Sequence, residues 1–224
     1  MRFVAASIPI AWSRYGWDGR ARNVICDVCQ MRARGRSAAN QVRIIGGLHR
    51  GRRLPFADLP GLRPTGDRVR ETLFSWLQPL IPGARCLDLF AGSGALGLEA
   101  ASRGASQVVM LDSAPQVVAQ LEQSRQLLRL GEVVSVMRAD ALAWLRGAAT
   151  PFDIVFLDPP FAAQLLPECC RLLSENGWLA EGARIYLEDD AGRGLAPPDG
   201  WELLREKRAG QVCFGLARPR QDGG

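Results

Sequence analysis

Residues 85–99 read RCLDLFAGSGALGLE, and this stretch decides the fold. Its first half is a run of strand-forming residues that ends in Asp88. Gly92, Gly94 and Gly97 follow with the spacing G-x-G-x-x-G, directly before an apolar helical pattern. Glycines between a strand and a helix let the backbone turn tightly and approach a ligand. The stretch therefore predicts the first strand of a sheet that holds a cofactor at the end of that strand.

The rest of the chain repeats this alternation of strand and helix. Alternation of this kind predicts right-handed crossovers and a parallel sheet with both faces covered. The end of the chain departs from it, because WELLREKR and QVCFGLAR flank the Ala209-Gly210 turn without an intervening helix and predict a β-hairpin. The predicted strands are 85–90, 107–112, 133–138, 153–158 and 183–188, and the predicted helices between them are 93–103, 114–130, 141–146 and 163–173.

These elements predict an α/β fold, a Rossmann-like seven-stranded sheet with an antiparallel last strand. Nicotinamide dinucleotides and S-adenosylmethionine are both bound by a glycine turn after the first strand, so the glycines alone leave the cofactor open. The antiparallel last strand is typical of class I S-adenosylmethionine-dependent methyltransferases, and nicotinamide-binding domains lack it. The terminal hairpin is thus the first feature that favours S-adenosylmethionine.

Acidic residues follow several of the predicted strands, where ligands bind in open α/β sheets. Asp112 can accept hydrogen bonds from both ribose hydroxyls of either cofactor. Asp140 either meets the adenine edge beside the Ala141 N–H or caps the short helix 141–146. Asp88 is expected near the methionine amino group. The predicted cofactor-binding residues are Asp88, Phe90, Ala91, Gly92, Ser93, Gly94, Asp112, Asp140 and Ala141.

The segment Asp158-Pro159-Pro160-Phe161 chooses between the cofactors. Two consecutive prolines hold the chain extended, so the Asp158 carboxylate and the Pro159 carbonyl are rigid acceptors for the two N–H groups of an exocyclic amine. The amine lone pair is then free to face a methyl group, and Phe161 offers a face on which a base can stack. In isolation this segment is equally a turn that ends a strand. After the fourth strand of this sheet it predicts that Asp158, Pro159, Pro160 and Phe161 are catalytic.

Positive charge is concentrated at the front of the chain. Residues 1–53 contain eleven arginines and two aspartates, whereas the remainder contains 17 basic and 21 acidic residues. This asymmetry indicates either a polyanionic partner or a solvated tail without function. Residues 42–56 predict a basic hairpin, and residues 62–77 predict a helix with Thr65 as N-cap and Asp67 in its first turn. The arginines expected to face phosphates are Arg43, Arg50, Arg52, Arg53, Arg63, Arg68 and Arg70.

Three parts of the chain are expected. Residues 1–40 lack periodicity and predict a disordered extension. Met31 offers a second start, and we hypothesise that residues 1–30 belong to an overlong gene assignment. Residues 41–80 comprise the basic hairpin and helix, and residues 81–224 comprise the methyltransferase domain.

Neither a metal site nor a membrane segment is expected. Cys26 and Cys29 have the C-x-x-C spacing of zinc ligands, but no second pair accompanies them and His49 is the only histidine. The other cysteines are interpreted as small apolar residues of a protein in a reducing compartment, the cytoplasm. No apolar run reaches the length of about 18 residues that spans a membrane.

Several motifs together carry a family resemblance. LDLFAGSGALGLEA and DPPF resemble the cofactor and catalytic motifs of amino-methylating, S-adenosylmethionine-dependent methyltransferases. RIIGG, RGRRLP, LRPTGDRVRETLFSWL, NGWLA, IYLE and REKRAGQV further resemble the bacterial RsmD family, over about residues 42–218. The resemblance implies methylation of the N2 amine of a guanine in 16S ribosomal RNA, with S-adenosylhomocysteine as the product and no metal. It also implies a partly assembled small ribosomal subunit as partner, and we expect the protein to be a monomer.

Other classes of protein explain parts of the sequence. A DNA adenine or cytosine amino-methyltransferase would share D-P-P-F. A non-catalytic RNA-binding protein would explain the arginines but not the acids at the strand ends. A nicotinamide oxidoreductase would explain the glycines and Asp112 and leave residues 158–161 unexplained.

Overall fold

The computed structural model describes residues 40–59 and 64–220. The predictions for the extension, for Met31, for Cys26 and Cys29 and for Arg63 lie outside the described residues. They stay predictions.

The described chain contains nine strands and five α-helices. The strands are β1 (Gln41–Arg43), β2 (Arg53–Pro55), β3 (Arg85–Asp88), β4 (Gln107–Asp112), β5 (Val134–Arg138), β6 (Phe152–Leu157), β7 (Leu179–Asp190), β8 (Trp201–Ala209) and β9 (Val212–Pro219). The helices are α1 (Asp67–Leu77), α2 (Gly97–Ser102), α3 (Pro115–Leu127), α4 (Ala141–Leu145) and α5 (Leu166–Glu175), and a 3-10 turn covers Phe161–Ala163.

Seven strands form one sheet in the order β5-β4-β3-β6-β7-β9-β8. Neighbours from β5 to β7 are parallel, whereas β9 is antiparallel to both β7 and β8. The tight turn between Ala209 and Val212 explains this arrangement, because it joins β8 directly to β9 and leaves no crossover. The predicted seven-stranded sheet with an antiparallel last strand is confirmed.

The glycine turn is longer than the sequence pattern predicts. The helix expected at residues 93–103 begins only at Gly97, and the strand expected to reach residue 90 ends at Asp88. Gly92 and Gly94 have φ angles of 49° and 78°, which are incompatible with a right-handed helix. The backbone therefore turns through residues 89–96 before the helix starts.

Two apolar clusters cover the two faces of the sheet. One contains side chains of α1, α2 and α3 together with Val42 and Leu54 of the small β1–β2 hairpin. The other contains side chains of α4 and α5 with Trp178 and Trp201. The hairpin and α1 thus share a core with the face of the sheet that α2 and α3 cover.

Candidate active site

Four acidic side chains occupy the carboxyl end of the parallel strands, on the face covered by α1, α2 and α3. Asp88 pairs with Phe156 in the sheet register, so Asp158, two residues further along, lies on the same face as Asp88. Leu157 pairs with Leu187, so Asp158 and Glu188, which follow them, are neighbours at the ends of adjacent strands. The four acids are Asp88 at the end of β3, Asp112 at the end of β4, Asp158 just after β6 and Glu188 in β7.

Asp88 is buried, with 2% of its surface exposed. The Gly97 N–H donates to Asp88 Oδ2 across 2.9 Å. Burial raises the pKa of Asp88 to about 7 against the lowering effect of this hydrogen bond, and the charges of Asp158 and Asp112 add to the rise. A cation that binds beside Asp88 would therefore favour its ionised form.

Asp112 organises the start of the glycine turn. Its two carboxylate oxygens accept the Gly92 N–H at 3.1 Å and the Ala114 N–H at 2.9 Å. A Cβ on Gly94 would lie 2.7 Å from side-chain carbons of Leu121 and Leu98. Gly94 is therefore needed for packing inside the protein as well as for its positive φ.

The other predicted cofactor-binding residues lie around this turn. Ala91 and Ser93 are buried, and Phe90 is half-buried. Asp140 is exposed and caps α4, since its Oδ1 accepts the Ala143 N–H at 2.8 Å, while Ala141 is buried. The sequence allows two roles for Asp140. The structure contains the helix cap, and the contact with adenine stays a prediction.

The predicted catalytic segment leaves the end of β6 at the centre of the row of acids. Asp158 is partly accessible, Pro159 is buried, Pro160 is exposed, and Phe161 is half-buried at the start of the 3-10 turn. Burial raises the pKa of Asp158 to about 6, whereas a hydrogen bond from Thr65 lowers it. Asp158 is therefore mostly ionised at neutral pH and available as an acceptor.

Thr65 contributes to this site instead of capping a helix. The N-cap of α1 is Gly66, which has no side chain, so the predicted Thr65 cap is wrong. The Thr65 hydroxyl instead donates to Asp158 Oδ2 at 3.2 Å. No local sequence signal indicates this contact, because its two partners lie 93 residues apart in the chain.

Glu188 and Tyr186 are site residues that the sequence pattern does not single out. The Tyr186 hydroxyl donates to Glu188 Oε2 across 2.5 Å, and Glu188 is only 6% exposed. Burial raises the pKa of Glu188 to about 8, and the charge of Asp158 adds to the rise. The i, i+2 spacing of Tyr and Glu in IYLE is the signal that could have placed both on one face of a strand.

Arg193 tethers the far end of the predicted catalytic segment. Its guanidinium pairs with Asp189 and donates to the Phe161 carbonyl at 3.0 Å. The turn that carries Phe161 is thereby held against the end of β7.

The predicted phosphate-facing arginines divide into two groups. Arg50, Arg52, Arg53 and Arg68 are exposed, and Arg43 is exposed but pairs with Asp67 at 2.9 Å. Arg70 is buried, with 1% of its surface exposed, so the prediction that it faces RNA is wrong. Its guanidinium pairs with Asp67 and donates to the Arg43 carbonyl at 2.8 Å and the Thr65 carbonyl at 3.1 Å. These acceptors are why a charged side chain is stable there.

Glu99 joins the basic hairpin to the glycine-turn helix α2. This carboxylate is fully buried and accepts the Ile45 N–H at 2.7 Å and the Gly46 N–H at 2.8 Å. It also pairs with Arg103 at 2.7 Å and lies 3.9 Å from Arg70. The hairpin is thus fixed to the element that follows the glycine turn.

Residues 40–59 and 64–220 contain no group of three His, Cys, Asp or Glu side chains that could hold a metal ion. Within the same residues, no helix is both long and apolar enough to cross a membrane.

The sheet order and the acids at its carboxyl edge define the class of protein as a class I methyltransferase. A family model described as "Conserved hypothetical protein 95" matches residues 42–218. The chain belongs to this family, which is the RsmD family that the sequence motifs resemble.

Curated relatives and solved structures agree with this assignment. The chain is 50% identical over 188 residues to "Ribosomal RNA small subunit methyltransferase D" of Escherichia coli K12, covering 84% of this chain and 94% of that protein. A Haemophilus influenzae protein of the same name is 46% identical over 183 residues, covering 80% and 95%. The solved structure "Putative methyltransferase yhhF from Escherichia coli" superposes with a TM-score of 0.75 at 48% identity, covering 80% of this chain and 98% of that one.

Proposed function

We propose that this protein transfers a methyl group from S-adenosylmethionine to the exocyclic N2 amine of a specific guanine in 16S ribosomal RNA, during maturation of the small ribosomal subunit. The observation that carries the proposal is the position of Asp158. Its partly accessible, ionisable carboxylate directly precedes Pro159, at the end of a strand whose neighbours also carry acids at that edge of the sheet. The relatives named as small-subunit ribosomal RNA methyltransferases support the choice of RNA.

The residues at the ends of β3 and β4 fit the cofactor. Each Asp112 oxygen keeps a free lone pair after accepting its backbone N–H, so it can still accept ribose hydroxyls. Asp88, with a pKa of about 7, would be ionised by the cationic methionine amine. The cofactor supplies an electrophilic methyl group and leaves as S-adenosylhomocysteine, and no metal is required.

Asp158 and Pro159 prepare the amine for attack. A guanine amine is conjugated with its ring and is a poor nucleophile. If the Asp158 carboxylate and the Pro159 carbonyl accept its two N–H groups, its lone pair faces the methyl carbon in line. The N–C bond forms as the S–C bond breaks, and Asp158 stabilises the positive charge that develops on nitrogen. The surplus proton then passes to Asp158 or to water.

The target base must leave its helix to reach this site. An amine inside a paired RNA helix cannot approach Asp158, so the guanine lies in a loop or is flipped out and stacks on Phe161. The exposed arginines of the hairpin and Arg68 would hold the flanking backbone. We place the reaction in the cytoplasm, on a partly assembled subunit, with the enzyme acting as a monomer.

Labelled methyl transfer tests this function directly. The protein and radiolabelled S-adenosylmethionine are incubated in parallel with unmodified small-subunit particles, free 16S RNA and duplex DNA, and the label is mapped by nuclease digestion and mass spectrometry. We expect N2-methylguanosine at one position of the RNA in the particles. Label confined to DNA would instead indicate the amino-methyltransferase of adenine or cytosine that shares D-P-P-F, and absence of any label would favour a binding protein.

Replacing Arg50 and Arg52 together by glutamine should weaken RNA binding and its dependence on salt. Both side chains are exposed and have no acidic partner among the described residues. Loss of two phosphate contacts reduces the magnitude of the slope of log binding constant against log salt concentration by about 1.5. Filter binding at several salt concentrations measures the slope. The matched control is Arg171→Gln with Arg218→Gln, which removes two exposed charges outside the hairpin, and an equal loss in both variants would contradict the assignment.

A further inference from the structure

We propose that Glu188 accepts the N1–H of the target guanine, and so makes this amine-methylating site specific for guanine over adenine and cytosine. The inference rests on the proposed function and names the residue that selects its base.

The catalytic segment alone cannot select a base. Asp158 and Pro159 offer two acceptors to the N–H groups of an exocyclic amine, and adenine, cytosine and guanine all carry such an amine. The bases differ at the ring nitrogen beside the amine. Guanine presents a donor there, its N1–H, whereas adenine and cytosine present a lone pair. A residue that selects guanine must therefore place an acceptor next to Asp158.

Glu188 is in the required place. Glu188 follows Leu187, and Asp158 follows Leu157. Because Leu187 and Leu157 are paired in the register of β7 and β6, the two carboxyl groups lie at adjacent strands on the same face of the sheet. They are close enough for the charge of Asp158 to raise the pKa of Glu188. Two acceptors side by side match the adjacent N1–H and N2–H donors of guanine.

One oxygen of Glu188 is available to a ligand. Tyr186 donates to Oε2, and no described residue donates to Oε1. Among residues 40–59 and 64–220, the one fully enclosed side-chain nitrogen or oxygen without a partner is His49 Nε2. Glu188 Oε1 therefore keeps its capacity to accept a hydrogen bond from a ligand.

Glu188 is a buried acid whose one hydrogen bond among the described residues comes from Tyr186. No arginine or lysine in the described part of the chain forms an ion pair with Glu188. A buried carboxyl without a cation is costly, and apolar residues in place of Tyr186 and Glu188 would remove both polar groups at once. A ligand that donates a hydrogen bond explains why the pair is present.

The test compares two bases and two enzymes. The guanine that the labelling experiment identifies is replaced by 2-aminopurine, by ligation of a synthetic RNA segment before the particle is assembled. 2-Aminopurine keeps the amine at C2 but has a lone pair at N1. Methylation is measured at pH 8, where a substantial fraction of Glu188 is ionised, for the wild type and for Glu188→Gln. For each enzyme, the rate with guanine is divided by the rate with 2-aminopurine. Comparing the two quotients between the enzymes cancels the intrinsic difference in amine reactivity between the two bases.

We expect the wild type to prefer guanine by about 10- to 100-fold more than the variant does, because an ionised carboxylate repels a lone pair. The amide of Glu188→Gln can turn either its carbonyl or its NH₂ group towards N1 and so accepts both bases. Equal guanine preference in the two enzymes would overturn the proposal. The control Glu202→Gln, an exposed residue of β8, should behave as the wild type.

The failure of the proposed function looks different from the failure of this inference. If the protein does not methylate a guanine, the wild type gives no methylated guanine in the labelling experiment with unsubstituted RNA. If only the role of Glu188 is wrong, the wild type methylates guanine and the variant retains the same preference. Binding of S-adenosylhomocysteine and a thermal melt for each variant show that the cofactor site and the fold are intact.

Discussion

Asp158→Ala should lower kcat/KM for methyl transfer by about 10²- to 10⁴-fold while leaving the affinity for S-adenosylhomocysteine nearly unchanged. The carboxylate would hold the amine and receive its proton, so its loss removes interactions that matter most in the transition state. The methyl-incorporation assay gives the rate, and isothermal titration calorimetry gives the affinity. A variant that retains most of its rate would refute the catalytic role.

Two further variants separate charge from shape. Asp158→Asn keeps the volume and one acceptor oxygen but removes the charge, and we expect it to be nearly as inactive as alanine. Asp199→Ala removes an exposed acid from the loop before β8 and should have no effect on the rate.

The rate of methyl transfer should also depend on pH, through the ionisation of Asp158. The pKa of Asp158 is raised to about 6 by burial, and the ionised form is the active one. The rate should therefore rise between pH 5 and pH 7, as Asp158 ionises. Thr65→Val removes the hydrogen bond that lowers this pKa and should shift the midpoint to higher pH. Thr72→Val is the control, because the Thr72 hydroxyl only donates to the Arg68 carbonyl of its own helix.

Glu99→Ala should reduce the free energy of unfolding by about 3–5 kcal/mol. The change would leave the Ile45 and Gly46 N–H groups without their acceptor and would remove the carboxylate that pairs with Arg103 and lies 3.9 Å from the buried guanidinium of Arg70. Unpaired buried donors are strongly destabilising, and both arginines lose a nearby negative charge. Urea denaturation at fixed pH measures the loss, and hydrogen exchange should show faster exchange in the β1–β2 hairpin.

Glu122→Ala provides the matched control for this experiment. Glu122 also pairs with an arginine of its own helix, but at the surface of α3. Its removal should leave the free energy of unfolding close to the wild-type value. Equal stabilities for the two variants would show that the Glu99 contacts do not hold the hairpin.

The elements that the sequence predicts best are those encoded by neighbouring residues. β4 occupies residues 107–112 as predicted, and the β8–β9 hairpin turns at Ala209-Gly210. Alternation of apolar runs and the tight turn are local patterns, and they are sufficient to indicate the sheet type. The positions of Asp88, Asp112 and Asp158 follow from the same patterns, because each acid ends or follows a predicted strand.

The contacts that the sequence does not reveal join residues distant in the chain. Thr65 lies 93 residues before Asp158, and Ile45 lies 54 residues before Glu99. Helical periodicity assigns Arg70 to the polar surface, but the fold surrounds its guanidinium with acceptors from three directions. Whether a charged side chain is buried depends on partners that only the folded chain supplies.

The sequence by itself thus determined the sheet, the glycine turn and the position of residues 158–161 at the end of a strand, because strand and turn preferences depend on adjacent residues. Only the tertiary structure decided which polar groups are open to a substrate. It buried Arg70 and Glu99 as supports of the hairpin, turned Thr65 towards Asp158, and set Glu188 beside Asp158 through the register of two strands. Hydrogen bonding and burial across the fold, which no local pattern contains, are the physical reason.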